Sequence, residues 1–97
     1  MAIVSMVHLQ FKDDEEQALV LLRDTLAGTR GRPGCLRVDV AQDREDPRHV
    51  VLLETWETPE DEVAYRQWRA EQPPNPARAA FDAAPPQVLN FTLRDDV

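Results

Sequence analysis

Four segments of the chain carry the alternating or densely apolar composition that is typical of β-strands. Residues 2–11 and 49–57 are apolar on both sides, whereas residues 35–42 and 88–94 alternate more clearly. Strands are apolar on both sides only where both faces of a sheet are covered, so the first and third strands are predicted to be central and the others to be edges. One face of the second strand is expected to carry its apolar side chains: Leu36, Val38 and Val40.

A helix is predicted between the first two strands, with an apolar stripe at helical spacing: Leu19, Leu22 and Leu26. The run of acids at positions 13–16 suits the positive N-terminal end of a helix, and Asp13 or Asp14 can cap it. Gly28 and Gly31 are expected to end this helix.

A second helix is predicted after the third strand, because Thr58 can cap it and Pro59 fits its first turn. Its apolar stripe is expected to consist of three residues: Val63, Ala64 and Trp68. Prolines interrupt residues 72–76, and Asn75-Pro76 can start a further short helix before the last strand.

The resulting order, β-α-β-β-α-β, predicts a single α+β domain over residues 1–97 with a ferredoxin-like, antiparallel four-stranded sheet. Right-handed crossovers place both helices on the same face of the sheet. The other face would then expose a large apolar patch, for which a second copy of the chain is the simplest cover. We therefore expect a homodimer.

Composition narrows the possible partners. The net charge of −7 and the pI of 4.7 argue against nucleic acid, because phosphate backbones would be repelled. No apolar stretch approaches the roughly 20 residues that span a bilayer, so no membrane contact is expected. The single Cys35 and the lack of a signal-peptide pattern predict a cytoplasmic location.

The segment from Gly31 to Trp56 resembles the antibiotic biosynthesis monooxygenase family in the spacing of P-G-C-L, of the D-x-x-D-P loop and of the closing L-L-E-x-W. Thr58-Pro59-Glu60 extends the resemblance. It implies a dimeric α/β barrel in which two sheets pack face to face. It also implies cofactor-independent oxygenation, in which an electron-rich substrate is deprotonated and its anion reacts with O₂.

Four residues are candidates for substrate binding: Trp56, Tyr65, His8 and Glu54. By the resemblance, Trp56 borders a cavity between the sheet and the helices; the alternative is a core tryptophan. Glu54 lies two residues earlier on the same face of its strand. A structural salt bridge, for example to Arg37, is favoured over general-base chemistry for this carboxylate.

His8 lies on a central strand and could transfer a proton near neutral pH, although a core or interface role is the alternative. His49, beside a charged loop, is expected to be solvated. Tyr65 and Ala70 stand where many family members have histidines, and Tyr65 could donate a hydrogen bond to a substrate oxygen. Leu52 replaces the asparagine of the quinone-forming relatives, so the catalytic residues stay unassigned.

Two functions are consistent with these patterns. The first is a cofactor-independent monooxygenase that acts on a small aromatic or polyketide-like substrate. The alternative is a non-catalytic dimeric ligand-binding or stress-response α/β barrel protein. No metal and no cofactor is expected, because the sequence contains no metal-ligand cluster and no phosphate-binding or dinucleotide motif.

Overall fold

The computed structural model describes the backbone of residues 1–97 and the side chains of all of them except residues 77 and 78. Its elements are β1 (Ile3–Gln10), α1 (Glu15–Arg30), β2 (Cys35–Gln42), β3 (His49–Trp56), α2 (Pro59–Glu71), α3 (Pro76–Ala79) and β4 (Gln87–Thr92). The strands form one antiparallel sheet in the order β2-β3-β1-β4. This order confirms the predicted α+β, ferredoxin-like fold and the central positions of β1 and β3.

Burial alternates along both central strands, and it divides the sheet into two faces. The face beneath the helices carries the buried residues of these strands: Ile3, Ser5, Val7, Leu9, Val50, Leu52, Glu54 and Trp56. The buried stripe of α1 packs against this face: Ala18, Leu22, Leu26 and Thr29. The opposite side, called the open face below, presents half-buried or exposed apolar residues: Val4, Met6, Val51, Leu53, Leu89 and Phe91.

A β-bulge at the start of β2 changes the predicted face of one residue. Cys35 pairs with Trp56 and Arg37 pairs with Thr55, so Leu36 is the extra residue of the bulge and pairs with no residue of β3. Leu36 is 58% exposed, whereas Val38 is buried in the core. The prediction that Leu36 lines up with Val38 and Val40 was therefore wrong, because the extra residue breaks the two-residue period.

The first helix begins as predicted and ends later than its first glycine. Asp14 caps it by accepting a hydrogen bond from the backbone N–H of Gln17 at 3.2 Å. The helix continues through Gly28 and stops before Gly31, which corrects the predicted end. No helix in the described structure is long and apolar enough to cross a membrane.

The second helix is capped as predicted, but a different face is buried. Thr58 Oγ1 accepts from the N–H of Asp61 at 3.1 Å, with Pro59 in the first turn. Val63 is 62% exposed and Ala64 is also exposed, so the predicted apolar stripe was wrong at these two positions. Trp68, the third residue of the predicted stripe, is half-buried and packs against the core. The buried residues of α2 are Glu62 and Tyr65 instead, and this polar and aromatic face points toward the sheet.

The turn before β2 depends on a glycine. Gly34 has φ +80°, a conformation that L side chains rarely adopt, and a Cβ there would lie 2.2 Å from Asp61 Cγ. Its carbonyl accepts from the N–H of Glu57 at 2.8 Å, which links the start of β2 to the segment entering α2. The turn thus fixes α2 over the sheet.

Candidate functional site

A cavity of about 800 Å³ lies between the helix-covered face of the sheet and the helices. Its apolar wall includes Val7, Leu9, Leu22, Leu26, Leu52 and Val88. Its polar wall includes Glu54, Tyr65, Arg66 and Arg69. A mostly apolar cavity of this size with a few convergent polar groups is the usual form of a small-molecule site.

A buried ion-pair group forms part of the polar wall. Arg66 Nη2 donates to Glu54 Oε1 at 2.6 Å, and Arg66 Nε donates to Glu62 Oε2 at 2.6 Å. The side chain of Glu54 is only 2% exposed. The expected salt bridge of Glu54 therefore exists, but its partner is Arg66 rather than Arg37. Arg37 pairs instead with Asp39 and is 68% exposed.

Burial raises the pKa of the Glu54 carboxyl above its ordinary value, because the charged form loses hydration. The nearby Arg66 opposes this shift in the pKa but does not cancel it. Burial alone would lower the pKa of Arg66, yet its two carboxylate partners outweigh that effect and raise it. Glu54 is thus a carboxylate with increased basicity that faces a cavity.

A second hydrogen-bond network joins α1 to α2 through Tyr65. The hydroxyl of Tyr65 lies 2.9 Å from Thr29 Oγ1 and accepts from Arg69 Nε at 3.2 Å. Arg69 Nη2 donates to Thr29 Oγ1 at 3.0 Å and to the carbonyl of Thr25 at 3.4 Å. Both networks meet at Tyr65, because the guanidinium groups of Arg66 and Arg69 lie 4.9 and 5.4 Å from its ring centre.

Trp56 lies in the core next to the cavity. It is fully buried, and its ring centre is 4.8 Å from that of Tyr65. It is not among the described residues that line the cavity, whereas Tyr65 is. Trp56 Nε1 has no hydrogen-bond partner in the described structure. Trp56 therefore packs against Tyr65 in the core rather than lining the cavity itself.

His8 lies on the open face, away from the other three candidates. Its Nδ1 is 3.1 Å from Nε2 of His49, whose Nδ1 is 2.9 Å from Asp43 Oδ2. The two imidazole rings are stacked, with centroids 5.4 Å apart and planes that differ by 13°. His49, expected to be solvated, is half-buried and connects the β2–β3 loop to β1.

This His–His–Asp chain leads to a prediction about pH. The hydrogen bond from His49 lowers the pKa of Asp43 below its ordinary value. A carboxyl whose pKa is lower in the folded than in the unfolded state stabilises the fold at pH values above its unfolded-state pKa. This contribution is lost as the pH falls through the folded-state pKa. We expect Asp43→Asn to reduce the loss of stability in this acidic range, measured as the urea midpoint from pH 6 to pH 3. An equal reduction in the exposed control Glu71→Gln would contradict this assignment.

Several residues of the polar wall were missed by sequence reasoning: Glu62, Arg66, Arg69 and Thr29. Two signals could have found the three on α2. Positions 62, 65, 66 and 69 share one helical face, and Glu62 and Arg66 have the spacing of an i,i+4 ion pair. A buried Glu54 also requires a cation nearby. Thr29, near the end of α1, carried no such signal.

The His, Cys, Asp and Glu side chains of the described residues do not cluster as metal ligands. In the described part of the chain, no group of three or more His, Cys, Asp or Glu side chains is arranged to hold a metal ion. Cys35 is half-buried, and burial raises the pKa of its thiol. A raised pKa leaves less of the nucleophilic thiolate.

The fold and the cavity together define a class: a small ferredoxin-like α+β protein with a cavity under its helices. The family description "antibiotic biosynthesis monooxygenase" matches residues 2–83. The chain belongs to this family. The expected family resemblance is therefore confirmed.

Solved structures show the same fold at low sequence identity. A conserved protein from Methanosarcina mazei has a TM-score of 0.79 at 16% identity, covering 97% of this chain and 94% of that one. SnoaB from Streptomyces nogalater, a cofactor-independent oxygenase, has a TM-score of 0.78 at 16% identity, with coverages of 99% and 96%. Rv0793 from Mycobacterium tuberculosis has a TM-score of 0.71 at 18% identity, with coverages of 99% and 98%. A search of curated proteins finds no significant match.

Proposed function

We propose that the chain is a cofactor-independent monooxygenase that acts on a small aromatic or polyketide-like substrate inside the 800 Å³ cavity. The observation that carries this proposal is Glu54, a buried carboxylate of raised pKa that lines an otherwise mostly apolar cavity. Family membership and the fold shared with SnoaB, a cofactor-independent oxygenase, support the reaction class.

The proposed reaction begins with a proton transfer. Glu54 accepts a proton from an acidic C–H of the substrate, and the apolar walls exclude water from the resulting carbanion. The anion gives one electron to O₂, and the two radicals combine into a peroxide. The peroxide takes a proton back from Glu54.

The second half of the reaction releases water. The O–O bond of the hydroperoxide breaks and the second C–H proton leaves, so that a carbonyl and one water form. One methylene and one O₂ are consumed, and the four electrons lost by the carbon reduce both oxygen atoms. The arginines of the polar wall, Arg66 and Arg69, supply positive charge near the developing anion.

A single domain over residues 1–97 would assemble as a homodimer through the open face. The apolar residues of that face support this, because they form one contiguous patch across three strands: Val4, Met6, Val51, Leu53, Leu89 and Phe91. Two sheets packed in this way would form the dimeric α/β barrel. The reducing, cytoplasmic location stays a prediction.

Replacing the proposed base tests the function. We expect Glu54→Gln to lower the turnover of 1,8-dihydroxyanthrone about 100-fold, at the low end for a positioned general base because anthrones lose a proton readily. Oxygen uptake and quinone absorbance should fall together, whereas the dissociation constant of the non-reactive 1,8-dihydroxyanthraquinone should change little.

The control compares folding, since Gln also loses the charged contact with Arg66. Thermal melts of both proteins identify any loss of activity that is due to unfolding. Turnover that is equal in wild type and Glu54→Gln would contradict the assigned base. Tight anthraquinone binding without any oxygen uptake would favour the alternative of a non-catalytic binding protein.

A further inference from the structure

Arg69 differs from the other cation of the polar wall in how its charge is balanced. Arg66 is shared by two carboxylates, those of Glu54 and Glu62. Among the described residues, Arg69 forms no ion pair, and its hydrogen bonds go to three neutral oxygens: Tyr65 Oη, Thr29 Oγ1 and the carbonyl of Thr25. The charge of Arg69 is therefore not neutralised by a bonded carboxylate.

The position of Arg69 is also fixed. Its Nε and Nη2 are held by residues of α1 and α2, and its guanidinium lies 4.8 Å from the ring centre of Trp68. Its Nη1 has no hydrogen-bond partner in the described structure, and the residue lines the cavity. A preorganised cation with free N–H groups binds an anionic oxygen at little cost in side-chain entropy.

We propose that Arg69 is a specificity-determining residue that selects substrates with an anionic oxygen, a carboxylate or an ionised phenol, at the end of an aromatic body. This inference rests on the proposed function, because it assigns the substrate class of the same cavity. The aromatic rings of the substrate would pack against the apolar wall. Arg69 would bind the anionic oxygen at the polar wall, near Glu54. Binding of the anionic end to Arg69 thereby determines which substrate carbon lies near Glu54.

The test uses binding alone. Anthraquinone-2-carboxylate and anthraquinone-2-carboxamide have the same rings and differ in charge, and their dissociation constants can be measured by calorimetry. We expect wild type to bind the carboxylate about 10- to 100-fold more tightly than the amide, as is typical for a hydrogen bond to a charged group. Arg69→Gln should abolish this ratio, and Arg69→Lys should retain part of it.

A matched control removes the same charge elsewhere. Arg94 forms an exposed ion pair with Asp96, and the Arg94→Gln variant should keep the wild-type ratio of the two dissociation constants. A merely structural role of Arg69 between α1 and α2 would weaken both probes equally and lower the melting temperature, without changing the ratio. Binding of 2-hydroxyanthraquinone only above the pH of its ionisation would assign the anionic oxygen to a phenolate.

Three results would overturn the proposal: equal affinities of wild type for the two probes, a ratio that survives in Arg69→Gln, or no binding of the carboxylate to wild type at millimolar concentration. Failure of the proposed function is distinguishable from these results. A protein that prefers the carboxylate but never consumes oxygen would contradict the oxygenase and leave the role of Arg69 intact.

Discussion

Leu53→Asp should dissociate the proposed homodimer into folded monomers. Leu53 lies on the open face, directly opposite Met6 of β1, and is only half-buried within one chain. A monomer can therefore hydrate the new carboxylate, whereas a dimer would bury two of them without partners. Each buried unpaired charge costs several kcal/mol, so the dimer dissociation constant should rise more than about 10⁴-fold. Light scattering at micromolar concentration measures the change.

The contrast with neighbouring positions makes this result specific. Val63→Asp adds the same charge at a site that is 62% exposed on α2, and should leave the dimer intact. Leu52→Asp places the charge in the core, where Leu52 is 5% exposed, and should prevent folding. A Leu53→Asp variant that stays dimeric would show that the open face is not the interface.

Removing Arg66 alone should destabilise the fold more than removing Arg66 and the Glu54 charge together. Arg66→Met leaves Glu54 buried without its nearest cation, and losing one partner of a buried pair costs about 3–4 kcal/mol. The double variant Glu54→Gln/Arg66→Met also removes the Glu54 charge and should recover the share of the stability that Glu54 accounts for, while Glu62 still lacks its cation. Urea denaturation of both variants measures the difference.

The position of Arg66 between two acids explains why this cost is large. Glu62 is also buried, so the single variant leaves two carboxylates close together with their shared cation gone. If Arg66→Met and the double variant unfold at the same urea concentration, the pair adds nothing specific and Glu54 must be hydrated from the cavity. A matched Arg37→Met, in an exposed pair, should change stability by less than about 1 kcal/mol.

The sequence pattern was sufficient for the order of elements, because each turn has a local chemical cause. Asp14 and Thr58 cap the two long helices as expected, and the two-sided apolar strands are the central ones. Leu36 shows the limit of such patterns. A bulge inserts one residue without any change in composition, so the two-residue period continues in the sequence while the structure shifts.

The candidate site was harder to predict, because it depends on which face of the sheet is covered. Positions on both sides of β1 are apolar, so the sequence cannot distinguish the core face of Val7 from the open face of Met6. As a result, the sequence did not show that His8 and Glu54 lie on opposite faces of the sheet. The inward face of α2 was missed because its buried residues are polar: apolar periodicity led to Val63, whereas Glu54 requires Arg66.

Isotope labelling follows both oxygen atoms of O₂ through the proposed reaction. The purified chain, treated with chelator and shown by mass spectrometry to carry no bound cofactor, is incubated with 1,8-dihydroxyanthrone under ¹⁸O₂. We expect one ¹⁸O atom in the new carbonyl and one in water, with a rate that depends on Glu54. A rate no greater than that of the protein-free solution, or activity that returns only with added metal or flavin, would contradict it.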